Sequence, residues 1–223
     1  QADCALVSLH GRALERIVPH LQPGARVLAL SWDSTTPAKL AALLAERGMA
    51  GSRLTVLEAL GGPRERVRSV TAGSFDLDGV DPLNLIGLEV ATGFEARVLP
   101  LSAGLAEDWF SHDGQITKAD IRAITLSGLA PRAGELLWDV GAGSGSVSLE
   151  WCLAHRRNRA IAFEEKPERA GRIAANRLAL GALPVEIVEG AAPASLAGQP
   201  APDAVFIGGG IGGLAAAIAL RQA

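Results

Sequence analysis

Residues 136–151 read LLWDVGAGSGSVSLEW. An apolar run ends in Asp139, glycines follow at 141, 143 and 145, and a helix-like pattern begins at once. Glycines at such a turn permit positive φ and let a ligand approach the main chain closely. A dinucleotide fingerprint, G-x-G-x-x-G, would need its third glycine at position 146, which is Ser146. A phosphate-binding P-loop would need Gly-Lys-Ser/Thr, which is absent. The G-x-G-x-G turn with an acid two residues ahead suits a ligand that lacks phosphates and rests a small charged end on the loop. S-adenosylmethionine is such a ligand, so Asp139, Gly141, Ala142, Gly143, Ser144 and Gly145 are candidate cofactor contacts. Glu164, at the end of the apolar run AIAF, follows the loop at close to the ~20 residues that separate a glycine turn from a ribose-binding acid. The plainer alternatives are a structural turn and a solvated charge at a helix start for Glu164 and its neighbour Glu165.

A second constellation is SHDGQITK, which offers His112, Asp113 and Lys118 ahead of the loop. Histidine titrates near neutrality, so His112 is a candidate proton carrier, although a polar surface loop would read the same way. Arginines cluster at 64, 66 and 68 and again at 156, 157 and 159. They suit a substrate with many carboxylates, or are merely solvated. A competing signal lies at the C-terminus. DAVFIGGG continues as Gly208-x-Gly210-x-x-Gly213, a flavin or nicotinamide fingerprint by pattern, but the chain supplies no acid ~20 residues later.

These residues need a scaffold. Beyond residue 118, KADIRAITLSGLAPRAG reads as a helix with Ile121, Ile124 and Leu129 near one face and Gly134 as its stop. Strands are expected at 136–140, 160–163, 185–188 and 203–207, with helices in the first two gaps. That alternation predicts a doubly wound α/β sheet. Earlier, short apolar runs at 4–9, 26–30, 53–60 and 83–90 read as strands. Thr36 caps a helix begun by Pro37 and closed by Gly48, ALERIVPHL is amphipathic, and GGPRERV reads as a turn into a basic helix start. Residues 1–95 therefore predict a mixed or parallel α/β sheet. RVLPLSAGLAEDWFSHDGQITK lacks a sustained period and reads as a linker plus entry loop, which sets a boundary near residue 100.

Composition narrows the class. Of 223 residues 48% are hydrophobic, enough for a substantial core, and a net charge of −3 argues against a general nucleic-acid binder. No run reaches the ~18 apolar residues of a membrane span. The two cysteines, Cys4 and Cys152, have neither metal-ligand nor disulfide spacing, and no signal peptide is visible, so a cytoplasmic location without a metal is expected. The opening QADCALVSLHGR, with Met49 as the only methionine, reads as the interior of a longer protein.

Residues 100–211 resemble the C-terminal methyltransferase domain of the precorrin-6Y methyltransferases of cobalamin (vitamin B12) biosynthesis. The resemblance is carried by WFSHDGQITKADIRAITLSGLAPRAGELLWDVGAGSGSVSLEW, AFEEKPERAGRIAANRLALG, EIVEGAAPASL and DAVFIGGG. Residues 3–90 resemble the second half of a tetrapyrrole methylase domain, through SLHGR, TTPAKLAALLAERG, LGGPRERV and LNLIGLEV. The resemblance implies a partial tetrapyrrole methylase α/β domain at 1–99 and a Rossmann-like class I methyltransferase domain, C-terminally truncated, at 100–223. It implies methylation of precorrin-6Y at ring carbons 5 and 15 and loss of CO₂ from the ring C acetate, with self-association and no nucleic-acid or membrane partner. Carried over by motif, Thr117, the 141–145 loop, Glu164 and the backbone at Ala191 and Ala192 would hold the cofactor. His112 and Asp113 would manage a proton and its charge, and Trp109 and Phe110 would stack on the macrocycle or pack in the core. His10, Gly11 and Arg12 match the tetrapyrrole methylase motif. Ala191 stands where many class I methyltransferases place an Asp for the adenine amino group, so that contact falls to backbone. The missing first half puts C-5 methylation by this chain alone in doubt. A dinucleotide-binding oxidoreductase fragment and a non-catalytic cofactor-binding remnant are the alternatives.

Overall fold

The computed structural model describes residues 3–208. The chain divides between Leu99 and Pro100 into two compact units, each with its own sheet.

In the first unit, β1 (Cys4–Ser8), β2 (Arg26–Leu30), α1 (Thr36–Glu46), β3 (Arg53–Glu58), β4 (Arg66–Thr71) and β5 (Asn84–Glu89) follow in order. The sheet runs β1-β2-β5-β3-β4 and is mixed, since β1 pairs parallel with β2 and the other pairs are antiparallel. Val7, Val27, Ala29, Leu54, Ile86 and Leu88 alternate onto one face and pack with Leu40 and Leu44 of α1, as period-two strands and an amphipathic helix require. ALERIVPHL forms a short 3-10 helix, Leu14–His20.

Two sequence expectations change here. The basic stretch at 66 is strand β4, not a helix start, because Arg66, Arg68 and Val70 alternate on a strand that pairs with β3. Thr36 lies inside the first turn, its hydroxyl accepting from the Trp32 and Asp33 amides at 3.2 and 3.3 Å, and the cap position is Thr35.

The second unit holds α2 (Ala119–Leu129), β6 (Leu136–Val140), α3 (Ser146–Ala154), β7 (Arg159–Glu164), α4 (Pro167–Leu180), β8 (Val185–Glu189) and β9 (Ala204–Ile207). Its sheet is parallel throughout, in the order β8-β7-β6-β9. Every residue of β6 is buried, as in central parallel strands covered on both faces. The order reverses between β6 and β9, and ligands of such sheets bind at that switch, outside the carboxyl ends of the strands. Residues 190–202 contribute only a 3-10 turn, Ala194–Leu196.

Helix α2 has the opposite face buried from the one its periodicity suggested. Ile121 and Ile124 are 56% and 68% exposed, while Arg122 and Leu126 are buried. The reason is an ion pair. Arg122 donates to the Glu150 carboxylate and to the carbonyls of Leu105 and Thr117, and Glu150 accepts from the amides of Gly104 (2.6 Å) and Leu105 (3.0 Å). A charge so deeply buried is tolerable only with such complete pairing. The helix stops at Ala130, in left-handed conformation, and Gly134 belongs to the turn that enters β6.

Candidate functional site

The glycine loop joins β6 to α3 at the switch point. Gly141 and Ala142 both donate to the Phe163 carbonyl of β7, at 2.9 and 3.0 Å. All three glycines have positive φ, and each is needed for a different reason. A Cβ on Gly145 would sit 2.8 Å from the Ile173 side chain, and one on Gly141 would sit 3.1 Å from the Gly208 carbonyl. At Gly143 the nearest atom would be the Gln115 carbonyl at 3.9 Å. Gly145 and Gly141 thus allow packing, and Gly143 leaves main chain open to an approaching group.

Glu164 sits beside that opening. Its Oε2 accepts from the Gly143 amide at 2.7 Å and its Oε1 from the Lys166 amide at 3.0 Å. An ionised carboxylate has about four acceptor positions, so each oxygen keeps one for a hydroxyl. Asp139 is one layer deeper. It is buried, and its Oδ2 accepts from the Ser148 amide at 3.1 Å and from the Ser148 hydroxyl. Burial, opposed by those bonds and aided by the charge of Glu164, raises its pKa to about 6. Asp139 therefore pins the first turn of α3 beneath the loop and lines neither cavity described next.

Two cavities flank the loop. The first, about 280 Å³, is lined by Glu164, Glu165, Lys166 and the Gly190–Ala192 backbone, among others. The second, about 310 Å³, is lined by Gln115, Ile116, Thr117, the loop from Gly141 to Ser144, and Phe206 and Gly208. Gly141 and Arg169 belong to both walls. The structure thus brings Thr117, Gly141, Ala142, Gly143, Ser144, Glu164, Ala191 and Ala192 around two cavities that share Gly141 and Arg169. Gly145 lies behind it, against α4.

The entry loop is held differently from the expectation. Asp113 does not orient His112. Its Oδ2 meets Arg169 at 2.9 Å and Arg172 at 3.0 Å, and its Oδ1 accepts from the Gln115 amide at 3.1 Å. The Gln115 bond first, then the arginines, hold its pKa down at about 2. His112 accepts the Gly114 N–H on Nδ1 at 3.0 Å, and neither His112 nor Lys118 lines the two cavities. Phe110 is buried under the Arg122 guanidinium, 4.8 Å from the ring centre, so it packs inside the unit and does not face a macrocycle. Trp109 is half-buried and lines neither cavity.

The arginine clusters also move off the site. Arg156, Arg157 and Arg159 lie at or before the amino end of β7, opposite the end that carries the loop. Arg66 and Arg68 bond Glu58, and Arg64 pairs with Asp81, all inside the first unit. His10 and Arg12 are exposed there, flanking Gly11 at φ 66°. The strand of DAVFIGGG is β9, beside β6, and the Gly208 amide donates to the Val140 carbonyl at 2.8 Å. Gly210 and Gly213 of the dinucleotide pattern lie outside the described residues.

Two site residues carry no sequence motif. Arg169 spans both cavities. Asn176, on α4, accepts from the Ser111 amide at 2.7 Å and donates to the carbonyls of Ser111 and Ser144, each at 3.0 Å. A polar residue on the buried face of an amphipathic helix was the available signal for Asn176.

The chain is similar to known precorrin methyltransferases. The family model "Precorrin methyltransferase domain" matches residues 108–222, more than half of the chain. A precorrin-6Y C(5,15)-methyltransferase [decarboxylating] from Sinorhizobium sp is 56% identical over 208 residues, 93% of this chain and 50% of that protein. A cobalt-precorrin-6B C(15)-methyltransferase (decarboxylating) from Salmonella typhimurium is 38% identical over 103 residues, 46% of this chain and 53% of that protein. The crystal structure of the C-terminal domain of precorrin-6Y C5,15-methyltransferase from Rhodobacter capsulatus is similar at 48% identity and TM-score 0.51, covering 55% of this chain and 66% of that one. The chain spans about half the length of the curated relatives it matches.

Proposed function

The chain belongs to the precorrin methyltransferase family, and from that premise we propose that its second unit binds S-adenosylmethionine and methylates a precorrin at ring carbon 15, with loss of CO₂ from the ring C acetate. The observation that carries the reading is Glu164. It accepts the amide of Gly143, the loop glycine with open space around it, and lines the first of two cavities that share Gly141 and Arg169. The residues suit the cofactor. Glu164 would take the ribose hydroxyls, the Gly190–Ala192 backbone would border the adenine, and Ala142–Ser144 with Thr117 would border the methionine end. Ala191 offers the adenine no side-chain acceptor, and its carbonyl already accepts from the Ser195 amide at 3.1 Å.

When bound, the cofactor supplies an electrophilic methyl on a sulfonium, and the displacement is dominated by positioning. The protein's part is to fix the two reactants on either side of Thr117 and the open loop. Loss of CO₂ leaves an electron pair that the conjugated macrocycle accepts, so the protein orients the carboxylate and handles one proton. His112 is the proposed carrier. With Nδ1 occupied by the Gly114 N–H, its Nε2 bears the exchangeable proton of the neutral ring. Asp113 is reassigned to anchoring the entry loop on α4.

We assign residues 1–99 to the second half of a tetrapyrrole methylase domain. The C-5 methylation named for the longer relatives requires the preceding half as well, and the proposed setting is a cytoplasmic, self-associating enzyme. Calorimetric titration of the chain with S-adenosylmethionine and, separately, FAD tests the cofactor reading. Saturable binding of the first alone is expected; FAD binding without it would transfer the function to the C-terminal glycines. Mass spectrometry of the product from precorrin-6Y reports methylation and CO₂ loss separately.

A further inference from the structure

We propose that Arg169 is the carboxylate-recognising residue of this site, a role that rests on the S-adenosylmethionine reading and goes beyond it. Of the described residues lining the second cavity, Arg169 is the only one with a charged side chain, and it also lines the first. Its guanidinium is already aimed and held. Nε donates to Asp113 at 2.9 Å, Nη2 donates to Gln115 Oε1 at 2.5 Å, and the side chain is 18% exposed. A guanidinium has five N–H donors. Those two bonds leave both protons of Nη1 and one of Nη2 with no acceptor among the described residues. Charge points the same way. Two guanidinium groups, Arg169 and Arg172, face the single carboxylate of Asp113, so the cluster carries a surplus positive charge at the cavity wall. Glu164 and Glu165 line the first cavity, and among the described residues no acid lines the second.

A planar fork with unused donors and surplus charge matches a carboxylate better than any neutral group. Both proposed reactants bring one, as the methionyl carboxylate of the cofactor or a side-chain carboxylate of the macrocycle. Pre-binding by Asp113 and Gln115 lowers the ordering cost of the capture.

The test compares the 223-residue chain with Arg169→Gln, using Arg157→Gln at the opposite end of the sheet as a control for lost charge. Calorimetry measures S-adenosylmethionine and its decarboxylated analogue. The visible absorbance of precorrin-6Y, titrated with S-adenosylhomocysteine present, measures the macrocycle. If the cofactor is the source, Arg169→Gln weakens S-adenosylmethionine roughly ten- to hundredfold and leaves the analogue unchanged. If the macrocycle is the source, both cofactors bind as before and precorrin-6Y weakens by that factor. Where the wild-type chain binds cofactor but no precorrin-6Y, the cofactor arm alone decides. A folded Arg169→Gln that matches wild type in every titration overturns the proposal. Should thermal melting show that variant unfolded, Arg169→Lys keeps the charge beside Asp113 without the fork and is judged by the same outcomes. A wild-type chain that binds no S-adenosylmethionine fails the underlying reading, a result distinct from failure of Arg169 alone.

Discussion

Among the described residues two arginines converge on one carboxylate twice, and the two clusters are built to different ends. At Glu58 the carboxylate is fully buried, accepts from Arg66 at 2.7 and 3.1 Å, from Arg68 at 2.8 and 3.2 Å and from the Asp81 amide at 2.9 Å. The same arginines go on to the carbonyls of Gly79 and Asp78. Burial pushes the Glu58 pKa up, but the arginine bonds outweigh it and hold it at about 2. At Asp113 one oxygen serves both arginines, the carboxylate is 28% exposed, and Arg169 keeps unused donors at a cavity wall. The composition is the same and the saturation differs. A cluster whose buried carboxylate is bonded on both oxygens by arginines that reach no cavity described above is a staple, whereas one with donors to spare beside a cavity is ready for a ligand.

The comparison can be broken from either side. Gly143→Val has the largest expected effect on the open side. It puts a β-branched residue at φ 62° and fills the one open stretch of the loop. Calorimetry should find no measurable S-adenosylmethionine binding, while the thermal transition of the first unit stays in place. Glu58→Ala is the counterpart on the closed side. It leaves Arg66 and Arg68 unpaired, and since both are partly exposed the cost should be about 2–3 kcal/mol of stability by denaturant titration, less than for a wholly buried pair. Cofactor affinity should not change; if it does, the Glu58 cluster is more than a staple.

Glu164→Ala sharpens the open side further. Loss of charge-assisted bonds should weaken cofactor binding by ~1–3 kcal/mol, and unchanged affinity would remove the ribose assignment. The smallest effect concerns pH. Asp139 has its pKa raised from 3.8 to about 6, so it favours the folded state most below pH 3.8 and loses that contribution as pH rises through 6. Glu58 and Asp113 are lowered, so their contribution is present above their ordinary values and is lost as pH falls toward 2. Asp139→Asn should therefore gain on the wild type between pH 4 and 7, as measured by denaturant midpoints, with little change below pH 4. A constant difference across that range would mean Asp139 is ionised throughout.

The strands of the second unit were legible because glycine and proline punctuate short apolar runs, and β6 to β9 lie close to the expected segments. The glycine turn and Glu164 were legible because their spacing follows from the fold itself. What escaped depends on partners far away in sequence. Nothing in the periodicity of 119–129 announces that Arg122 finds Glu150, yet that pair decides which face of α2 is buried. Local pattern likewise tied Asp113 to its neighbour His112, while its actual partners sit on α4, more than fifty residues on. Arg66 and Arg68 alternate as a strand does, but their charge suggested a helix start, because Glu58 across the strand pair was needed to give them a purpose.

Asn176 has a consequence for how the protein can change. One primary amide spends both its donors and an acceptor on the main chains of Ser111 and Ser144, so it joins the entry segment to the glycine loop through backbone alone. These bonds make no demand on the side chains of Ser111 and Ser144, whereas position 176 must supply its amide. Aspartate would lose the two donors, leucine all three bonds, and glutamine would place the same amide a methylene too far. A substitution at position 176 should therefore loosen both segments at once.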